Sequence, residues 1–86
     1  MHSVELLEQA LAAAKSLGYG IRHEYLGDIG GAACEIAGRK WLFVDLALNT
    51  SEQLGEVLEA LRQDSGVDSI RLSAELAHAL GVRRAA

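Results

Sequence analysis

Three residues near the middle of the chain have the chemical types of a nucleophilic site: Cys34, His23 and Asp45. A thiol attacks as its thiolate, an imidazole within hydrogen-bond reach takes its proton, and a carboxylate orients the ring. The residues around them alternate as strands do, and one pairing brings them together. If Ile21 sits across from Ile36, His23 faces Cys34 and Tyr25 faces Ala32, with Arg22 opposite Glu35 on the other side. A slip of one residue would set Glu24 against Cys34 and mix polar with apolar partners. Asp45 projects to the same side, one step beyond Phe43. The candidate catalytic set is therefore Cys34, His23 and Asp45. The same face also holds Ile21, Ile36, Trp41 and Phe43, a setting in which a lone cysteine is a small inert hydrophobe.

Asp45 interrupts an apolar run, Leu42-Phe43-Val44 before it and Leu46-Ala47-Leu48 after it. A buried carboxylate must find donors or shift its pKa. One reading is a strand-end aspartate that holds loop amides, the Tyr25 hydroxyl, Arg22 or Arg39. The other is an acid–base residue beside Asp28 or Glu24. A metal site would draw on Cys34, His23 and Asp45 or Glu35, at most three ligands without a Cys-x-x-Cys or His-x-x-x-His spacing. No metal and no cofactor are expected. The turn Gly27-Asp28-Ile29-Gly30-Gly31 invites a phosphate loop, in which successive amides point at an anion. It lacks the spacing and the lysine of such loops, Asp28 would repel the ligand, and a strand-like alternation follows it.

The elements that must position these residues are three strands at 20–26, 32–37 and 40–46, with Gly38-Arg39 turning the second into the third. That turn pairs Ile36 with Trp41 and Cys34 with Phe43. The third strand is apolar on both sides, and such a strand wants two covers. Helices supply one; the other must come from the C-terminal segment or a second subunit, which is the main argument for a homodimer. A first helix spans 4–17, with Ser3 as N-cap and Gly18 as a left-handed exit. A second spans about 51–64, capped by Asn49 or Thr50, with Leu54, Val57, Leu58 and Leu61 as its buried row. Gly55 inside it implies close packing, and 64–66 is a turn. Ile70-Arg71-Leu72 reads as a very short edge strand, and a last helix runs from Ser73 to a stop at Gly81. The predicted fold is α+β: one domain over 1–86, a small antiparallel sheet of three or four strands packed on one face by two helices, plus a short C-terminal helix.

Composition bounds what such a domain does. The chain has 86 residues, half of them hydrophobic and 23% charged, which excludes disorder and supplies more apolar surface than a small core needs. Twelve acidic and eight basic side chains give a charge of −4 with scattered cations, which disfavours nucleic acid. One cysteine closes no internal disulfide, and neither a signal peptide nor a transmembrane segment is expected. The cytoplasm, with no membrane partner, is the expected location.

The stretch Gly30-Gly31-Ala32-Ala33-Cys34 through Trp41-Leu42-Phe43-Val44-Asp45, followed by Glu52-Gln53-Leu54 and Val57-Leu58-Glu59-Ala60-Leu61, resembles small bacterial proteins of an uncharacterised family. They share a Gly-Gly before a Cys, a turn Gly, a Leu-Phe-x-Asp strand end and a Leu-rich helix. The resemblance covers about 20–62 and implies that the Gly-Gly, Cys34 and Asp45 form one unit; no activity comes with it. The expected function is a non-catalytic protein-interaction or structural module that self-associates. A thiol- or carboxylate-dependent enzyme using Cys34, His23 and Asp45 is the alternative, and a small-molecule or metal-binding accessory protein is the third reading.

Overall fold

The computed structural model describes residues 3–27 and 32–81. The elements are α1 (Ser3–Ser16), β1 (Gly20–Glu24), β2 (Ala33–Ile36), β3 (Arg39–Asp45), α2 (Thr50–Gln63), a 3-10 turn (Ser65–Ser69) and α3 (Ala74–Leu80). They make the expected α+β domain: a three-stranded sheet packed on one face by α1 and α2, with the short α3 against both helices.

The sheet is mixed rather than antiparallel, and its order is β1-β3-β2. β3 pairs parallel with β1, Ile21 opposite Leu42 and His23 opposite Val44. It pairs antiparallel with β2, Cys34 opposite Trp41 and Ile36 opposite Arg39. The expected β1–β2 pairing of Ile21 with Ile36 is therefore overturned: β3 lies between those strands. The physical reason lies in β3 itself. It is the strand that is apolar on both faces, so the central position shields the most apolar area. β1, with Arg22, His23 and Glu24, and the short β2 suit the edges.

The β2–β3 hairpin also turns two residues tighter than the expected pairings imply. Ala37 (φ 52°) and Gly38 (φ 79°) are both left-handed, the signature of a two-residue turn whose twist matches the strands. Because the register moves by two, the faces of this pair stay as read; only the partners change.

The core lies between sheet and helices. Leu42 and Val44 meet Leu54, Val57, Leu58 and Leu61 of α2, and Leu76 and Leu80 close the far side. Burial of side chains such as Leu42, Leu61 and Leu76 contributes about 1.5–3 kcal/mol each. α1 offers Ala10, Ala13 and Ala14 to this core, small side chains that let its axis come close to α2. Leu6, Leu7 and Leu11 of α1, and Leu17 just beyond it, flank them half-buried, while Val4 is 58% exposed.

The caps follow the sequence closely. Asn49 and Glu52 form a reciprocal capping box, Asn49 Oδ1 accepting from the Glu52 amide at 2.8 Å and Glu52 Oε1 from the Asn49 amide at 3.0 Å. Ser73 caps α3, Gly81 takes the left-handed exit, and Gly18 does the same for α1. Ser3 is the first helical residue of α1 rather than its cap. Two expectations fail. Ile70, Arg71 and Leu72 form no strand; Ile70 and Leu72 pack half-buried against the core as a connecting segment. Gly55 is exposed, and a Cβ added there would meet nothing within 4 Å, so close packing does not explain it.

Candidate interaction face

Side chains alternate along a strand, so burying Leu42 and Val44 against the helices sends Trp41 and Phe43 to the other face. Trp41 and Phe43 are half-buried and lie outside the hydrophobic core cluster. The register adds Gly20, Arg22 and Glu24 from β1, and Cys34 and Ile36 from β2, to the same face. Ile36 is 53% exposed.

The indole lies across Gly20. A Cβ built there would stand 2.6 Å from Trp41 Cζ3 and 2.7 Å from Cε3, closer than any real contact. Glycine is thus the residue that lets the ring lie flat on the neighbouring strand. Two guanidinium groups attend the ring, Arg39 at 4.7 Å and Arg22 at 5.9 Å from its centroid. Arg22 Nε also pairs with Glu24 Oε2 at 2.6 Å. The face therefore has an aromatic middle with Arg22 beside Phe43, Arg39 at one end, and carboxylates, Glu24 beside Asp45, at the other.

The register does not bring the expected catalytic set together. Cys34 is opposite Trp41 and His23 is opposite Val44; those β3 positions are three apart, so the thiol and the imidazole project from opposite faces, with β3 between their strands. Their expected cross-strand contact depended on the β1–β2 pairing that β3 displaces. Asp45 shares the face of Cys34 but stands four residues along from Trp41, about 13 Å. Cys34 is exposed, so the buried-hydrophobe reading of it is corrected as well.

Asp45 takes the strand-end role. Its Oδ1 accepts from the Ala47 amide at 2.9 Å and the Leu26 amide at 3.3 Å, tying the ends of β3 and β1. Gln53 Nε2 donates to the carbonyls of Asp45 and Leu48, which fixes α2 to the same corner. Among the described residues, no three His, Cys, Asp or Glu side chains converge as a metal site. The turn at Gly27-Asp28-Ile29-Gly30-Gly31 falls, after Gly27, outside the described residues.

A second cluster joins Tyr19, Lys40 and Asp64. Asp64 Oδ2 accepts from the Tyr19 hydroxyl at 2.9 Å and Lys40 Nζ at 3.1 Å, and its Oδ1 accepts from the Gly66 amide at 2.8 Å. Lys40 Nζ also stands 4.6 Å from the Tyr19 ring centroid. Burial, then the Asp64 hydrogen bond and charge, push the Tyr19 phenol up to about 12. The Gly66 amide foremost, then Lys40 and Tyr19, hold the Asp64 carboxyl below its ordinary value against the opposing effect of burial. This clasp joins the α1–β1 corner, the start of β3 and the end of α2. The turn at 64–66 is legible in sequence; its union with Tyr19 and Lys40 depends on the fold.

Among the described residues, no helix is long and apolar enough to cross a membrane. No family model, curated protein or solved structure matches the chain.

Proposed function

We propose that this chain is a non-catalytic interaction module that self-associates through the open face of its sheet. The observation that supports the reading is the alternation on β3: Leu42 and Val44 are in the core, while Trp41 and Phe43 stand outside it on the face away from the helices. Rigid aromatics with flanking arginines are the side chains that dominate binding hot spots. Covering them removes apolar area from water that the monomer's own helices do not reach.

The exposed Cys34 thiol fits a reducing compartment, and we place the protein in the cytoplasm on that ground. The thiol-enzyme alternative has this exposure in its favour, but His23 is on the opposite side of the sheet. Nothing else favours it.

The test is sedimentation across a range of concentrations, wild type against Phe43→Lys, with thermal unfolding as the check on folding. Self-association in the wild type and its loss in a folded Phe43→Lys supports the reading. A wild type that sediments as a monomer at millimolar concentration overturns it. Leu42 and Val44 are unsuitable probes, since a charge there enters the core.

A further inference from the structure

We infer that two copies pack sheet to sheet with their β3 strands antiparallel, so that Arg39 meets the partner's Asp45 and Trp41 meets the partner's Phe43. The inference rests on the self-association proposed above and adds its geometry.

The outward row of β3 reads Arg39, Trp41, Phe43, Asp45 at every second residue: cation, aromatic, aromatic, anion. Reversing this row and laying it on itself matches cation with anion and aromatic with aromatic. A two-fold axis crossing the strands between the Trp41 and Phe43 positions generates every pair twice, as an isologous contact requires. The alternative two-fold, along β3, would stack Arg39 on the partner's Arg39 and Asp45 on the partner's Asp45. Like charges so placed repel twice over, which disfavours that arrangement.

The charged groups have capacity for the contact. Among the described residues Arg39 has no ion-pair partner; its guanidinium lies near the Trp41 ring. Asp45 uses Oδ1 for the two amides, which leaves Oδ2 to accept from a guanidinium. The reversal also brings Arg22 over the partner's Gly20, where the partner's indole lies. The two Arg–Asp pairs would be separated by six residues, about 20 Å, and would bracket an aromatic centre. A face of three strands of five, seven and four residues, no more than roughly 14 by 24 Å, is small for a protein interface. The dimer is accordingly a weak one, formed at high concentration.

Charge exchange tests the pairing. Arg39→Asp alone and Asp45→Arg alone should each weaken self-association about tenfold or more. An equimolar mixture of the two should associate at least as tightly as wild type, because the heterodimer restores both opposite-charge pairs. Asp45→Arg also removes the acceptor for the Leu26 and Ala47 amides. If it fails to fold, Asp45→Asn keeps that acceptor, and its mixture with Arg39→Asp should associate more tightly than Arg39→Asp alone. A dimeric wild type whose affinity ignores these changes, or a mixture without recovery, overturns the antiparallel pairing while leaving self-association standing. A monomeric wild type at millimolar concentration ends both.

Discussion

The same chemical change, glycine to alanine, should have opposite effects at two positions of this protein. At Gly20 the added methyl would sit 2.6 Å from the indole, so Trp41 must swing away or the strand must move. Overpacking of this kind costs about 1–3 kcal/mol. Removing the freedom of glycine from the unfolded chain returns about 0.4–1 kcal/mol. The net expectation is a loss of roughly 1 kcal/mol, which lowers Tm by about 4–8 °C in a domain of this size. At Gly55, in the middle of α2, the methyl meets open space and raises helix propensity, for a gain of about 1 kcal/mol. Circular dichroism gives both Tm values, taken at one protein concentration because association shifts them. The chain's one tryptophan supplies a second signal: Gly20→Ala should shift the indole emission to the red, and Gly55→Ala should leave it in place. A Gly20→Ala protein as stable as wild type with unmoved emission would refute the account of the open face.

The Tyr19 clasp sets limits at both ends of the pH scale. A phenol raised from 10.0 to about 12 binds its proton more tightly when folded, so its contribution is complete below pH 10 and is lost as pH rises towards 12. In a Tyr25→Phe background, which leaves Tyr19 as the only tyrosine, tyrosinate absorbance should develop near pH 12, and Asp64→Asn should bring it lower. At the acid end, Asp64 stabilises above its ordinary value of 3.8, and that contribution disappears as pH falls through the lowered native value. Denaturant titrations of wild type and Asp64→Asn should therefore converge below that range. Ala37→Asn should stabilise the β2–β3 turn by about 0.5–1 kcal/mol, since asparagine tolerates the left-handed backbone that alanine resists; urea midpoints will check it. Asn49→Ala should cost about 1 kcal/mol by opening the capping box, read from the same midpoints.

Local chemistry carried most of the fold. The capping box at Asn49, the glycine stops at Gly18 and Gly81 and the buried row Leu54, Val57, Leu58 and Leu61 all follow from neighbouring residues. Strand order did not, because pairing Ile21 with Ile36 and pairing it with Leu42 are both chemically reasonable. The decisive fact was global: a strand apolar on both faces goes to the centre. With β3 between its neighbours, His23 and Cys34 lie on strands that do not touch. Asp45 was legible as a strand-end acceptor. The Trp41–Gly20 contact was not, since it needs the parallel register that only the central position of β3 creates.

That central position also fixes an order of assembly. β2 and β3 join through a two-residue turn, a hairpin that closes locally in microseconds. β1 can then zip onto the free side of β3, with each pair about 21 residues apart in sequence, so it waits for a partner made later in the chain. The seam between β1 and β3 is consequently the place where the sheet should part first. Amides that bridge it should exchange with deuterium sooner than those of the hairpin, and a ligand or second subunit that spans the seam would slow them most.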